Sequence, residues 1–427
     1  MAGPSDKEIC DAVAALQEEA REILMGVVKI DSTLGKDERK AQLFMAEQFK
    51  KLGEEYRVEV HEMSKDLLEK EKGYSPVDWK YDEGKCNVTA EITPEKNEGK
   101  TLILQGHLDV VPTGPESQWT HPPFEPYIKD GCLFGRGAGD MKAGVVANLV
   151  AVKALQKLGF RPASRLCLQT VTEEECSGNG ALDLCRRGFA ADATIIPEPF
   201  NFLATAQLGV MWARLTVTGR PVHVLDTGAG FNAIEAAYHI YHSLKELEDA
   251  WNAKKHASYS SVEHPINFNV GKIKGGDWSS SVPSWCVLEF RVGFYPGTSC
   301  EAVRAELEAG VSAIAGKKNI TYKLEYSGFQ AEGCVFEELS KNSAMDAILA
   351  QAHETVFEQP LARKPLTCTT DGRFYHLYHG IPTAIYGPVA HRIHGIDECV
   401  ELDSFCKVAQ VIALFIARWC KLQPLAA

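Results

Sequence analysis

At 427 residues the chain is longer than one hydrophobic core usually organises, which favours two domains. Its 45% hydrophobic and 24% charged residues are ordinary for a globular protein and argue against wholesale disorder. The formal net charge of −12 disfavours nucleic acid and anionic membranes as partners, because both attract basic surfaces.

The amino-terminal residues and the cysteines bear on where the protein resides. Residues 1–30 are typical of an acidic amphipathic helix and carry neither the basic region nor the apolar run of a signal peptide. The thirteen cysteines are odd in number and scattered singly, which indicates reduced thiols rather than a disulfide framework. The apolar runs 145–155 and 411–419 are too short to cross a bilayer. We therefore expect a cytoplasmic protein with no membrane partner.

Short apolar strands alternate with helical segments, a pattern typical of an α/β fold with a mostly parallel sheet. In chain order we predict strand 101–105, helix 143–158 ending at Gly159, strand 165–172, helix 181–187, strand 193–196, strand 383–386 and helix 403–422. Polar residues directly follow the strands, at the edge where open α/β sheets bind ligands.

The pattern changes between residues 208 and 326. We predict strands 210–218, 287–294 and 321–326 there, together with helices 232–247 and 301–315. This mixture indicates a small α+β lid domain inserted into the catalytic domain. The predicted boundaries are 1–207 for the first part of the catalytic domain, 208–326 for the insertion and 327–427 for the second part.

Two stretches in the first half carry candidate metal ligands. Residues two apart in an extended segment point the same way, so His107 and Asp109 can face one pocket. Asp140 follows the glycine-rich stretch 135–139, which permits tight turns but lacks the spacing of a phosphate-binding loop. The plain alternatives are a solvated loop for the first pair and a helix N-cap for Asp140.

Three later stretches add carboxylates and imidazoles. The glutamates at 173–175 follow a predicted strand, and such a run is buried only if cations or protons neutralise it; a surface charge run is the alternative. Glu198 stands between two prolines, and His391 and His394 share the last loop. Imidazoles and carboxylates from successive loops suit zinc, manganese or cobalt, and a shared carboxylate can bridge two ions.

Five motifs follow one another in a recognisable order: 106–112, 135–142, 174–175, 197–199 and 394–398. Together they resemble the co-catalytic metallopeptidase family of acetylornithine deacetylase, succinyl-diaminopimelate desuccinylase, aminoacylase and carboxypeptidase G, and they span nearly the whole chain. The departures from the family pattern alter no proposed ligand: Glu173 where aspartate is commoner, Ser177 for glycine, and Gly395-Ile396 for Thr-Pro.

The resemblance implies a role for each of these positions. The implied ligands are Asp140 between two ions, His107 and Glu198 on one ion, and Glu175 and His394 on the other. Glu174 is implied as the general base, and Asp109 as the residue that orients His107. The expected cofactor is one or two divalent ions, Zn2+ or Mn2+ or alternatively Co2+. The metal, the number of ions and the choice between His391 and His394 stay open.

The resemblance also assigns a role to the insertion. His223 resembles the family's lid histidine, which reaches into the partner's site to polarise the scissile carbonyl. Asn232 matches the helix start that follows it and is implied at the substrate. Because the family lid mediates dimerisation, we expect a homodimer formed through residues 208–326.

The predicted substrate is a small molecule that carries a carboxylate. Arg291 and Arg373 are candidates for clamping it, although each could instead hold a structural ion pair. Metal-activated water would cleave a C–N bond, with Glu174 passing the proton to the departing nitrogen.

Two reactions remain open: deacylation of an N-acyl amino acid or amide, and hydrolytic deamination of an aromatic amine such as 5-nitroanthranilate, to 5-nitrosalicylate and ammonia. The aromatic residues that could contact a flat substrate, or simply pack, are Trp278, Trp285, Phe374 and Tyr375. A non-catalytic metal-binding or scaffold member of the family is the alternative to an enzyme.

Overall fold

The computed structural model describes residues 3–81 and 84–425. Its helices are α1 (Asp6–Ala14), α2 (Gln17–Val28), α3 (Glu38–Lys50), α4 (Lys65–Leu68), α5 (Ala143–Lys157), α6 (Asn179–Arg186), α7 (Ala233–Ala253), α8 (Cys300–Lys318), α9 (Glu337–Ser340), α10 (Met345–Phe357) and α11 (Leu402–Trp419). Across the described ranges, no helix combines the length and apolarity that spanning a membrane requires.

The strands are β1 (Arg57–Glu62), β2 (Cys86–Ile92), β3 (Leu102–His107), β4 (Tyr127–Lys129), β5 (Cys132–Phe134), β6 (Phe160–Pro162), β7 (Leu166–Val171), β8 (Ala193–Ile196), β9 (Leu203–Gln207), β10 (Gly209–Thr218), β11 (Phe268–Gly275), β12 (Trp285–Phe294), β13 (Thr321–Ala331), β14 (Arg363–Leu366), β15 (Thr383–Ile385), β16 (Ala390–His391), β17 (Cys399–Glu401) and β18 (Leu422–Pro424).

The central sheet has the strand order β1-β2-β7-β3-β8-β15. The four strands from β7 to β15 run parallel, and β2 and β1 extend the sheet in antiparallel pairing. β3, β7 and β8 are buried along their whole length, as expected for parallel strands covered on both faces. Because the carboxyl ends of parallel strands share one edge, residues that follow β3, β7, β8 and β15 meet there.

Side chains of this sheet alternate between two apolar clusters, one on each face. Leu102 and Leu104 of β3 pack into the larger cluster with α1, α2, α3, α5, α10 and α11, whereas Ile103 packs into the other cluster with α6. The start of α5 packs closely on the loop after β8, where a Cβ at Gly144 would collide with the carbonyl oxygen of Pro197. This contact brings the loop that carries Asp140 next to the loop after β8, which carries Glu198.

The second sheet has the order β11-β12-β10-β13, and all of its pairs are antiparallel. One face, which includes Leu215 of β10, packs against α7 and α8. The opposite face carries Trp212, which lies directly across from Arg291 on β12, and Arg214, which lies across from Glu289. This face turns away from the lid helices.

The chain enters and leaves the second sheet at one place. Gln207 and Cys334 exchange two backbone hydrogen bonds, 2.9 and 3.1 Å long. β13 continues to Ala331, beyond the predicted boundary at 326. The division into a catalytic domain and an inserted lid stays a prediction. The Gln207–Cys334 pair, where the chain both enters and leaves the second sheet, supports it.

The fold class predicted from the sequence is confirmed, but several predicted helices were wrong in extent; the predicted helix 232–247, for example, continues to Ala253. Within residues 3–30, a turn at residues 15 and 16 separates α1 from α2 and buries Leu16 in the core; residues 1 and 2 lie outside the described ranges. The predicted closing helix 403–422 ends at Trp419, because Lys421 has a left-handed backbone (φ 59°) and β18 then pairs with β6.

Candidate metal centre

His107 ends β3, and its own loop holds the ring. Nδ1 lies 3.0 Å from the backbone oxygen of Asp109 and 3.7 Å from the carboxylate oxygen Oδ1 of the same residue. An N–H at Nδ1 that donates to this carbonyl leaves the lone pair on Nε2. Nε2 faces carboxylate oxygens of Asp140 at 3.3 Å, Glu174 at 3.8 Å and Glu198 at 3.9 Å. His107 therefore presents a ligand atom to a cluster of carboxylates.

Asp140 lies between the two imidazoles of the site. Its Oδ1 is 3.3 Å from Nε2 of His107, and its Oδ2 is 3.4 Å from Nε2 of His394. The alternative of an N-cap is wrong, because α5 has no side-chain cap at its start. One carboxylate oxygen toward each imidazole is the arrangement that a bridging ligand requires.

Glu398 supports the backbone of Asp140 from behind. Its Oε1 accepts the backbone N–H of Gly139 at 3.0 Å and that of Asp140 at 2.9 Å. Its Oε2 forms a buried ion pair with Arg136, whose own N–H donates to the carbonyl oxygen of Gly395 at 3.0 Å. This support ties the Asp140 loop to the loop that carries His394.

The turn after β7 is held by Asp109. Its two carboxylate oxygens accept the backbone N–H of Glu174 at 3.2 Å and of Glu175 at 3.1 Å. Asp109 thus contacts His107 chiefly through its carbonyl oxygen, while its carboxylate positions the next two candidate residues.

Glu173 points away from this cluster. Its backbone is left-handed (φ 68°), and its carboxylate accepts hydrogen bonds from Trp79 at 2.6 Å, Tyr81 at 2.8 Å and Ser177 at 2.8 Å. Lys85 lies 3.5 Å from the same carboxylate. Two of the departures from the family pattern, Glu173 and Ser177, therefore form a bonded pair, and the run at 173–175 contributes two carboxylates to the site.

His394 faces the cluster and His391 does not. Nε2 of His394 lies 3.0 Å from Oε2 of Glu175, whereas Nε2 of His391 lies 2.6 Å from a carboxylate oxygen of Glu401. The loop holds left-handed backbones at His394 (φ 61°) and Asp397 (φ 52°), which are costly for residues other than glycine. With this backbone, the His394 ring faces Asp140 and Glu175.

The donor set fits divalent metal ions. Ligand atoms of His107, Glu174 and Glu198 lie within 4.8 Å of one another, and so do those of His107, Asp140 and Glu175. Within the described residues, Nε2 of His107 and Oε1 of Glu198 are buried without a hydrogen-bond partner, and a cation satisfies both. Glu174 lies within ligand distance of His107 and Glu198, so it could be a metal ligand as well as the general base. A Glu174→Gln variant distinguishes these two roles.

The charges of the cluster shift one another's pKa. Burial raises the pKa of Glu174 well above its ordinary value, and the charge of His107 opposes that shift. The charge of Glu175 raises the pKa of His394 to about 11. Burial lowers the pKa of His107, but the Asp140 carboxylate 3.3 Å from Nε2 and the other surrounding carboxylates outweigh burial and raise it well above the usual range. A metal ion must therefore displace protons from this cluster.

The two lid residues implied by the family resemblance lie in the connection between β10 and α7. His223 is exposed, and its Nδ1 accepts the backbone N–H of Leu225 at 3.0 Å, which places the ring proton on Nε2. Asn232 caps α7, and its side chain accepts the backbone N–H of Ile234 at 3.0 Å. Within the described ranges, neither side chain bonds to the cluster of its own chain; their roles stay predictions.

The two candidate arginines differ in their surroundings. Arg373 is 1% exposed, and its guanidinium donates to the carbonyl oxygens of Thr370 and Ser177, both at 2.8 Å, which favours the structural role. Arg291 donates to the carbonyl oxygen of Thr367 at 3.0 Å, and burial lowers its pKa. No ion pair joins Arg291 to a carboxylate in the part of the chain that the structure describes. Arg291 therefore remains the stronger candidate for a substrate anion.

The aromatic residues proposed for a flat substrate lie elsewhere. Phe374 and Tyr375 are fully buried in the core, and Trp278 is 73% exposed. The indoles that line the cleft beside Arg291 are Trp79 and Trp212. Neither could be recognised from the sequence, because no motif marks them.

A family model described as peptidase family M20/M25/M40 matches residues 103–418. The chain belongs to this family. The resemblance to the co-catalytic metallopeptidases is thereby confirmed, and with it the prediction of a metal-dependent amidohydrolase.

Two curated relatives and one solved structure illustrate the similarity of this M20 protein. The N-formyl-4-amino-5-aminomethyl-2-methylpyrimidine deformylase of Bacillus subtilis is 30% identical over 373 residues, covering 82% of this chain and 87% of the relative. The succinyl-diaminopimelate desuccinylase of Marinobacter nauticus is 29% identical over 328 residues, covering 74% and 82%. A dipeptidase from Saccharomyces cerevisiae has a TM-score of 0.77 at 13% identity, covering 98% and 99%, which shows a shared fold. Neither relative's name describes hydrolysis of an aromatic amine, so the 5-nitroanthranilate alternative gains no support.

Proposed function

We propose that this M20 protein is a deacylase that cleaves the amide C–N bond of a small N-acylated compound bearing a carboxylate. The observation that carries the proposal is the convergence of two imidazoles and four carboxylates at one sheet edge, with buried ligand atoms that lack partners. The names of the two curated relatives, a deformylase and a desuccinylase, support removal of an acyl group.

The chain's own residues divide the work of hydrolysis. His107 and Glu198 would hold one Zn2+, Mn2+ or Co2+ ion, Glu175 and His394 a second, with Asp140 between them. When bound, such an ion lowers the pKa of water toward about 7 and polarises a carbonyl oxygen. Glu174, which faces the same space, accepts the water proton and returns it to the departing nitrogen.

The lid would complete the site from a second copy of the chain. His223 of the partner subunit would donate its Nε2–H to the developing oxyanion, with Asn232 of the partner subunit beside it. Exposure of His223 and its fixed tautomer support this assignment. We therefore propose a homodimer formed through residues 208–326.

Arg291 is the proposed clamp for the substrate carboxylate. Arg291 donates to the carbonyl oxygen of Thr367 at 3.0 Å, and within the described residues it pairs with no carboxylate, which supports this role. A guanidinium without a carboxylate partner can orient a substrate carboxylate while the amide lies on the ions.

We also propose a cytoplasmic location. All thirteen cysteines lie within the described ranges and are free thiols. Free, mostly buried thiols suit a reducing compartment.

The Glu174→Gln variant tests the proposed base. We expect turnover of N-acyl amino acids to fall by at least about 10²–10⁴-fold, because proton transfer is lost, while metal content stays that of the wild type. Loss of metal together with activity would make Glu174 a ligand, and turnover at the wild-type rate would refute the mechanism.

The substrate class needs a second assay. Metal-loaded wild-type protein is offered N-formyl, N-acetyl and N-succinyl amino acids and substituted anthranilates, and acid release is scored separately from ammonia release. Acid release alone supports a deacylase, ammonia release supports the aromatic-amine alternative, and turnover of none of them supports the scaffold alternative.

A further inference from the structure

A cleft of about 350 Å3 lies between the lid sheet and the catalytic domain. Its floor is the face of the lid sheet that turns away from α7 and α8. Trp212 and Arg291 are neighbours across two strands of this floor, and Arg214 and Glu289 form the next pair. A cleft of this size accommodates a small molecule.

The opposite wall comes from residues 73–81, which we call the strap. On the catalytic side, the N–H of Ser75 donates to Oδ1 of Asn179 at 3.1 Å, and Nδ2 of Asn179 donates to the carbonyl oxygen of Ser75 at 2.9 Å. On the lid side, the N–H of Gly328 donates to the carbonyl oxygen of Pro76 at 2.7 Å. The strap is therefore fixed to both parts of the molecule.

Trp79 is the strap residue whose ring lines the cleft. Its Nε1 donates to Glu173 at 2.6 Å, and Glu173 is fully buried and directly precedes Glu174. The ammonium of Lys85 lies 5.6 Å from the centre of the indole. The indole is thus held in one orientation, which lowers the entropy cost of packing a ligand against it.

The charged groups that line the cleft leave one cation without a carboxylate. Arg214 pairs with Asp78 at 3.3 Å and with Glu289 at 3.2 Å, and Lys272 pairs with Glu289 at 3.2 Å. Among the described residues, Arg291 pairs with no carboxylate. A partly buried guanidinium in this position attracts an anionic ligand even though the whole chain is acidic.

We propose that the cleft binds a flat aromatic ring that bears a carboxylate, with the ring between Trp79 and Trp212 and the carboxylate on Arg291. The preferred substrate is then an N-acylated aromatic carboxylate, such as an N-acyl aminobenzoate, and Trp79 is a specificity-determining residue. The proposal rests on the proposed function only for the bond that is cleaved, because binding in the cleft needs no turnover.

Equilibrium binding of small acids tests the cleft directly. Metal-loaded, full-length protein is titrated calorimetrically with benzoate, cyclohexanecarboxylate and benzamide, none of which carries the N-acyl bond. The two acids contact any metal ion alike, so the ratio of their Kd values isolates the flat ring. We expect benzoate to bind about tenfold more tightly than cyclohexanecarboxylate, because two indole faces contact it.

Variants assign the preference to the named residues. Trp79→Ala and Trp212→Ala should each reduce the tenfold preference to near unity, whereas Trp79→Phe keeps a ring and most of the preference. Arg291→Met should weaken both acids by the same factor and leave benzamide unchanged. Leu67→Ala removes an exposed apolar side chain of the catalytic part, outside the cleft, and is the control that should match the wild type.

Two results would overturn the proposal: no preference for benzoate in the wild type, or a preference that survives both alanine variants at Trp79 and Trp212. If Trp79→Ala fails to fold, Trp79→Phe and Trp212→Ala still decide. Because the acids are not hydrolysed, an inactive enzyme with a selective cleft refutes the proposed function alone, and an active enzyme without selectivity refutes this proposal alone.

Discussion

The buried carboxylate of Glu398 makes a sharp test of how the metal centre is built. It is fully buried, pairs with Arg136 and accepts two backbone N–H groups that flank Asp140. Glutamine at this position keeps the shape but removes the charge, and its NH2 group must face either Arg136 or the two N–H donors. Breaking a buried pair in this way costs about 3–5 kcal/mol. Because the support orients a ligand, metal affinity should also fall by roughly 10–100-fold.

The matched control is Glu401→Gln in the neighbouring strand. Glu401 is 41% exposed in its side chain and pairs with His391, so its loss should cost about 1 kcal/mol or less. Chemical denaturation of the metal-free proteins measures the free energy of unfolding, and calorimetry with Mn2+ measures affinity. If Glu398→Gln matches Glu401→Gln in both measurements, the reasoning is refuted. If only the unfolding free energy falls, Glu398 stabilises the fold without orienting Asp140.

Three further predictions follow from the same geometry. Chelation should abolish turnover and lower Tm, because the ions bind the folded state only, and Zn2+ or Mn2+ should restore both; turnover in the presence of a strong chelator would contradict a metal mechanism. The raised pKa values of His107 and His394 mean that both imidazoles hold protons near neutral pH without metal, so metal affinity should rise with pH. Calorimetry in buffers of different ionisation enthalpy should detect the protons that metal binding releases. A metal affinity that does not depend on pH would speak against these ligands. Arg373→Met should lower the free energy of unfolding by about 2–5 kcal/mol, because two buried carbonyls lose a charged donor. Arg291→Met should raise KM and leave Tm nearly unchanged. The reverse pattern in melting and kinetic assays would make Arg291 the structural residue and Arg373 the substrate-binding one.

The convergence of the candidate ligands could be predicted because their placement depends on local sequence. His107 and Glu198 each follow a short apolar strand, and the carboxyl ends of parallel strands meet at one edge whatever the rest of the chain does. The choice between His391 and His394 could not be made, because the left-handed backbone of that loop depends on contacts with distant residues. Thr120, for example, donates two hydrogen bonds of 2.8 Å to Asp397.

The cleft could not be predicted for the same physical reason. Trp79 lies in a segment without helical or strand periodicity, and its partner Glu173 is 94 residues away in the sequence. The sequence assigned no role to Glu173, whose left-handed backbone accompanies a carboxylate bonded to Trp79 and Tyr81. The sequence left the roles of the two arginines open; in the structure, Arg373 is buried against two carbonyl oxygens, whereas Arg291 lines the cleft.

The paired crossing at Gln207 and Cys334 makes the lid a detachable module. The two chain ends that remain after excision of residues 208–333 are already hydrogen-bonded neighbours, so a short turn would join them with little loss of chain entropy. None of the strands of the central sheet lies within the excised part. The part of the molecule that holds the candidate metal centre would therefore keep its architecture if the inserted segment were exchanged, and the proposed substrate-selecting floor of the cleft would be exchanged with it.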